Sequence, residues 1–134
     1  MDNPRQSAAR LRLAEGFFET VGLSPRASEY ETRNALSRCY YAFFHISHVV
    51  LGRYREHELV PTEIGRFDAL LGEFVATLQA LRIEADYIPE VVQMKYGGEL
   101  VAYRLRANQV LAEARMQFER ALKLARRRLG PKKT

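Results

Sequence analysis

The sequence of 134 residues contains no tryptophan, a single cysteine, five prolines and eight glycines. The small number of helix-breaking residues leaves room for long uninterrupted helices. Cys39 has no second cysteine to pair with, so an internal disulfide bond is excluded. Because Cys39 lies in an apolar stretch, we predict that it is a small buried side chain in a reducing compartment.

Long apolar runs are also missing. The most apolar stretch, residues 42–51, contains two histidines and is too short to span a bilayer. The first twelve residues are polar and carry three arginines, and no apolar segment of the kind that a secretory signal requires follows them. We therefore expect a cytoplasmic protein without a membrane segment.

No stretch alternates apolar and polar residues as a half-buried strand does, whereas apolar residues recur at helical spacing in four segments. Helices are predicted over residues 3–21, 28–51, 61–85 and 99–129, and the second has an alternative start at Ser24-Pro25. The apolar stripes include Phe67 and Leu70 in the third helix and Leu105 and Leu129 in the fourth. Since each helix is apolar on one side only, we predict an all-α fold, an antiparallel four-helix bundle of the up-down type, in one domain over residues 1–134.

Positive charge is in slight excess, with 21 Lys and Arg against 16 Asp and Glu and a formal net charge of +5. The excess is concentrated in a basic tail over residues 126–134. Its cations are Arg126, Arg127, Arg128, Lys132 and Lys133. The tail is either a solvated helix end, whose cations complement the helix dipole, or a segment that binds RNA through its phosphates.

The second predicted helix has two chemically different faces. The core face consists of Leu36, Cys39, Tyr40, Phe43, Ile46 and Val50. On the opposite side, Arg38 and His45 are two turns apart on one line, with Tyr41 between them. We call Arg38, Tyr41 and His45 the motif strip. Arginine can hold phosphate oxygens with two donors and histidine titrates near neutrality, so the strip suits chemistry on a phosphodiester. The alternative interpretation is a solvated or interface face.

Two short motifs resemble those of a known family. Residues 38–45 read Arg-Cys-Tyr-Tyr-Ala-Phe-Phe-His and resemble the R-x-Y-Y-A-x-F-H signature of a subfamily of HEPN domains, which are helical modules of prokaryotic defence and toxin systems. Residues 82–87 read Arg-Ile-Glu-Ala-Asp-Tyr and resemble the R-x-x-A-D-Y segment that often ends the third helix in that subfamily. The chain thus resembles a HEPN domain over nearly its whole length.

The resemblance implies a metal-independent RNA endonuclease that needs no cofactor. Arg38 and His45 take the catalytic positions, with Tyr41, Arg82, Asp86 and Tyr87 as supporting residues. In family members that cleave RNA, the ribose 2′-hydroxyl attacks its own phosphate, and two copies of the motif face each other across a homodimer cleft. From the sequence alone, Arg82 and Asp86 also form an ordinary i, i+4 ion pair.

Other features of the motif favour a second function. Cys39 occupies the position after the motif arginine, where many HEPN nucleases carry a polar residue, and Ile46-Ser47 after His45 lack the tyrosine of an H-x-Y extension. These features are compatible with a non-catalytic HEPN partner, or substrate-binding subunit, of a small nucleotidyltransferase that acts as its antitoxin. A plain helical dimerisation protein is a third alternative. His48 and His57 are predicted to face solvent, and no His, Cys or Asp cluster has the spacing of a metal site.

Overall fold

The computed structural model describes residues 1–130, which form six α-helices and no strand. The helices are α1 (Pro4–Glu19), α2 (Glu29–Leu51), α3 (Val60–Gly65), α4 (Ala69–Tyr87), α5 (Val91–Tyr96) and α6 (Leu100–Leu129). The all-α fold class is confirmed. Within this described part, no helix is both long and apolar enough to cross a membrane.

Local capping signals set the starts of the first two long helices. Asn3 caps α1 and exchanges hydrogen bonds with Gln6, and Ser28 caps α2 and does the same with Glu31. Each exchange satisfies two backbone N–H groups at a helix start that would otherwise be unpaired. Ser28 is therefore the true start of the second helix, rather than Ser24-Pro25. Gly52 ends α2 in the left-handed conformation, with φ of 71°.

The third predicted helix is broken into α3 and α4, which corrects the prediction of one continuous helix. Asp68 caps α4 by accepting a hydrogen bond from the Leu71 backbone at 3.1 Å, and it also forms an ion pair with Arg120 of α6 at 2.8 Å. Phe67, in the turn before α4, and Leu70, in the first turn of α4, are exposed, at 58% and 55%, instead of lying in the core. Asp68 thus ends the apolar stripe that periodicity alone extends back to Phe67.

A glycine pair lets α3 and α4 approach each other closely. A Cβ atom added to Gly72 of α4 would lie 2.6 Å from the Gly65 Cα atom and 2.8 Å from the Pro61 carbonyl oxygen. Backbone atoms cannot move aside as a flexible side chain can. The absence of a side chain at Gly72 is therefore a condition for this packing.

Helix α2 is the centre of the core, and α1, α4 and α6 all pack against it. The predicted core face of α2 is confirmed, because all six of its residues are buried. Phe18 of α1 stacks on Phe118 of α6 at 4.1 Å between ring centroids, and both rings meet Phe43 of α2 edge-on. The predicted inward positions of Leu105 and Leu129 are wrong, since these side chains are 58% and 38% exposed. Tyr103, Ala107 and Val110 occupy the core side of this part of α6 instead.

Arg33 fixes the end of α4 against α2. Its guanidinium donates to the carbonyl oxygens of Glu84, Ala85, Ile88 and Pro89, at 3.3, 2.9, 3.0 and 2.8 Å. The last carbonyl groups of a helix have no partners within the helix, so a half-buried cation there satisfies them and complements the dipole. Arg33 thereby holds the C-terminal end of α4, including Tyr87, next to the motif strip.

Candidate functional site

The motif strip lies on the side of α2 between α1 and α4. Tyr41 is in contact with both of these helices. The centroid of its ring lies 6.0 Å from that of Phe17 in α1, and its hydroxyl accepts a 2.7 Å hydrogen bond from Arg82 in α4. Tyr41 and His45 are half-buried, whereas Arg38 is exposed. Tyr41 is therefore held from both sides, in the middle of the strip.

The Arg38 side chain borders a shallow depression of about 390 Å³ between α1 and α2. The depression is lined by Arg12, Leu13, Gly16, Phe17, Thr20 and Arg38. Within residues 1–130, the Arg38 guanidinium forms no ion pair and no side-chain hydrogen bond. Leu13 is 51% exposed at the same place. A free cation beside an exposed apolar side chain suits an interface with another molecule.

His45 is in a partly enclosed position beneath α1. Its ring stacks on Phe17, with 5.6 Å between centroids and 13° between planes, and its Nδ1 atom is buried without a hydrogen-bond partner in the described part of the chain. Burial, and then the positive charge of Arg10, lower the pKa of His45 below its ordinary value. Arg10 is itself fixed by a 2.6 Å ion pair with Asp2. His45 is therefore neutral at neutral pH and able to accept a proton.

The predicted Arg82–Asp86 ion pair is present, at 2.9 Å, and it is connected to the motif strip. Ser37 of α2 donates a hydrogen bond to Asp86 at 3.3 Å, and Arg82 donates to Tyr41. Two residues one turn apart on α2 thus bind two residues one turn apart on α4. This ring of contacts sets the position of the Tyr41 hydroxyl relative to α4.

The Arg82 guanidinium also lies over three tyrosine rings. It is 5.2 Å from the centroids of Tyr40 and Tyr41 and 5.4 Å from that of Tyr87. Arg82 is only 7% exposed, whereas Tyr87 is 67% exposed. The buried cation therefore connects an exposed tyrosine at the end of α4 to the tyrosine in the middle of the motif strip.

The prediction that His48 faces solvent is wrong. His48 is fully buried, its Nε2 atom hydrogen-bonds to the Arg55 carbonyl oxygen at 2.9 Å, and its ring stacks on Tyr54 at 5.0 Å. Burial lowers the pKa of His48 to about 4. The segment that follows α2 folds back over the end of that helix, which covers a position that helical periodicity places on the outer side.

His57, from that same segment, is half-buried rather than fully exposed. It hydrogen-bonds to the Tyr40 hydroxyl and stacks on Phe44 at 4.1 Å. Burial, and then the charge of Arg82, lower the pKa of His57. The aromatic run of residues 40–44 is the feature of the sequence that could have indicated the half-buried position of His57, because it offers ring faces on which a histidine can stack.

Cys39 and the basic tail have structural surroundings of their own. Cys39 is buried as predicted, and burial raises the pKa of its thiol to about 12, so the thiol is neutral at pH 7 and faces the core rather than the motif strip. Arg126, Arg127 and Arg128 are exposed in the last turn of α6. The Arg128 guanidinium lies beside Gly52, where it complements the C-terminal dipole of α2. Lys132 and Lys133 lie outside the described residues.

Sequence reasoning missed three residues that build this site. Phe17 supplies the ring that covers His45 and Tyr41, Ser37 binds Asp86, and Arg33 anchors the end of α4. Each acts through a contact between helices, which helical periodicity within one segment does not indicate. Comparison of the chain with protein-family models, with curated proteins and with solved structures finds no match.

Proposed function

We propose that this chain is a HEPN-type, metal-independent RNA endonuclease that acts as a homodimer in a toxin or defence system. The observation that carries the proposal is the pairing, on one side of α2, of an exposed Arg38 that has no ion-pair or hydrogen-bond partner within residues 1–130 with a His45 whose pKa is lowered. In this proposal the four long helices α1, α2, α4 and α6 correspond to an antiparallel, up-down HEPN bundle.

The chemistry divides between the two residues. His45, neutral at pH 7, removes the proton from the ribose 2′-hydroxyl, and the 2′-oxygen forms a bond to the neighbouring phosphorus. The bond from phosphorus to the 5′-oxygen breaks, and that oxygen takes up a proton, which leaves a 2′,3′-cyclic phosphate and a 5′-hydroxyl. Arg38 donates to the non-bridging oxygens, on which negative charge increases in the transition state. Because Nδ1 of His45 is enclosed, Nε2 is the atom assigned to proton transfer.

A homodimer explains how residues two turns apart act on one phosphate. Seven residues of helix separate Arg38 and His45 by about 10 Å along the axis. Isologous pairing of two strips across a two-fold axis brings Arg38 of one protomer near His45 of the other. The exposed Leu13 beside Arg38 supports burial of this surface in a dimer.

A second candidate function is a non-catalytic HEPN partner, or substrate-binding subunit, of a small nucleotidyltransferase antitoxin. The burial of Cys39 favours it, since that position provides no polar group beside Arg38. Ser47 is also buried, so the residues after His45 present no exposed hydroxyl there for modification. Under this alternative the same strip is a docking surface rather than a catalytic site.

The test uses purified protein and a short RNA with one ribose replaced by its 2′-deoxy form at the mapped cleavage position. We expect cleavage of the all-ribose strand in EDTA, cyclic phosphate ends, and no cleavage at the deoxy position. Activity that is lost in EDTA, or that persists at the deoxy position, would overturn this mechanism. A protein that cuts no RNA but binds a small nucleotidyltransferase supports the second function instead.

A further inference from the structure

We propose that Tyr87 is a base-stacking residue that binds an unpaired nucleobase of single-stranded RNA beside the motif strip. The inference rests on the proposed function and deepens it, because it names the structural class of RNA and the place where a base binds. Tyr87 combines high exposure with a helix end and a neighbouring guanidinium that are both held in place.

The ring of Tyr87 is available on one side and supported on the other. It is 67% exposed, and the Arg82 guanidinium lies over its ring at 5.4 Å. Across residues 1–130, no aromatic ring stacks on Tyr87. An exposed ring face of this kind can take a base of any sequence, because every base has a π face.

The supporting cation is itself held in place. Arg82 is 7% exposed, forms an ion pair with Asp86 and donates to the Tyr41 hydroxyl. Arg33 binds four carbonyl oxygens around the end of α4, where Tyr87 is the last residue. The backbone that carries the ring and the guanidinium beside it are thus held before a base binds, which lowers the entropy that is lost on stacking and increases the affinity that stacking provides.

The position of Tyr87 connects stacking to the strip. Asp86, its neighbour in sequence, accepts a hydrogen bond from Ser37, and Ser37 is the neighbour of Arg38. Arg82 lies over the rings of both Tyr87 and Tyr41. Tyr87 is thus linked to the strip through Arg82 and Tyr41, and in this proposal a strand whose phosphate lies at Arg38 places one of its nearby bases on Tyr87. A base inside a duplex is already stacked on both faces, so the surface selects single strands.

The experiment uses the absence of tryptophan from the chain. Tyr87→Trp introduces a single tryptophan, and its fluorescence reports stacking directly, independent of cleavage. The matched control is Phe67→Trp, which places the tryptophan at another exposed aromatic position, 58% exposed and close to the opposite end of α4. Both variants are titrated with a 12-nucleotide oligoadenylate whose riboses are 2′-O-methylated to prevent cleavage, and with an RNA duplex.

We expect the single strand to quench the fluorescence of the Tyr87→Trp protein strongly and to quench the fluorescence of the Phe67→Trp protein only slightly. The duplex should not quench either protein strongly. In anisotropy with a labelled oligoadenylate, Tyr87→Ala should weaken binding about tenfold, whereas Tyr87→Phe should keep affinity within about twofold. Binding of the single strand without quenching of the Tyr87→Trp protein, or unchanged affinity in Tyr87→Ala, would overturn the stacking role.

The remaining outcomes separate this inference from the proposed function. Quenching of the Tyr87→Trp protein by RNA, when the wild type cleaves none, would retain the stacking role and reject the nuclease. Cleavage of RNA by the wild type, without quenching of the Tyr87→Trp protein, would retain the nuclease and reject the stacking role. A blue shift of the Tyr87→Trp emission that grows with protein concentration in the absence of RNA would place Tyr87 against a second copy of the chain and reject the stacking role. A protein that neither binds nor cleaves RNA would reject both.

Discussion

The buried His48 should make the protein less stable in acid, by an amount that its surroundings allow us to work out. Burial lowers the pKa of His48 from the ordinary 6.5 to about 4. Below pH 6.5 the unfolded chain therefore binds a proton that the folded chain excludes, and stability falls as the pH falls towards 4. At about 1.4 kcal/mol per pKa unit, this histidine alone should remove about 3 kcal/mol of unfolding free energy between pH 7 and pH 4.

The matched variant is His48→Gln, whose amide can still donate to the Arg55 carbonyl oxygen but does not titrate in this range. Urea unfolding followed by circular dichroism would give the free energy of unfolding of both proteins at pH 7, 6, 5 and 4. His45 and His57 are present in both, so their contributions cancel in the difference. We expect wild type to lose about 3 kcal/mol relative to the variant over this range. A difference that does not change with pH would refute the argument.

Three further predictions concern packing and the basic tail. In urea unfolding, Arg33→Met should lower the free energy of unfolding by about 2–3 kcal/mol, because it leaves the carbonyl groups at the end of α4 unpaired. The control Arg26→Met, at an exposed position, should change it by less than about 0.5 kcal/mol. Gly72→Ala should cost about 1–3 kcal/mol by overlap with backbone, but Gly65→Ala, whose Cβ would meet nothing nearer than 3.9 Å, should be neutral or stabilising in the same assay. Neutral substitution of residues 126–128 should weaken RNA binding, while cleavage at saturating RNA persists. The slope of the logarithm of the binding constant against the logarithm of the salt concentration should decrease in magnitude by about 0.7 for each phosphate that is no longer neutralised. An unchanged slope would leave these arginines with a structural role only.

The features that were predicted correctly from the sequence depend on neighbours along one helix. The predicted helix starts at residues 3 and 28, the core face of α2 and the Arg82–Asp86 pair all follow from spacings of three or four residues. Such interactions form wherever the helix forms, whatever packs against it. One of the two predicted starts of α2, Ser28, and the all-α fold class rest on this kind of local information.

The features that were missed depend on contacts between segments. The break before α4 is stabilised by Asp68, which both caps the helix and pairs with Arg120, 52 residues further along the chain. His48 is buried because the segment after α2 covers it. The half-buried state of His45 depends on Phe17 of another helix. Helical periodicity shows which side a residue faces but not what lies there.

The central claim is that Arg38 and His45 carry out RNA cleavage, and the most direct test is the single-turnover cleavage rate of one RNA by four proteins. These are wild type, Arg38→Ala, His45→Ala and, as matched control, Arg12→Ala, which removes a second exposed cation from the same depression. We expect Arg38→Ala and His45→Ala each to lower the rate by about 10²–10⁴-fold, with circular dichroism unchanged, and Arg12→Ala to stay within about tenfold of wild type. Cleavage by the folded His45→Ala protein at the wild-type rate, or equal losses in Arg38→Ala and Arg12→Ala, would contradict the assignment.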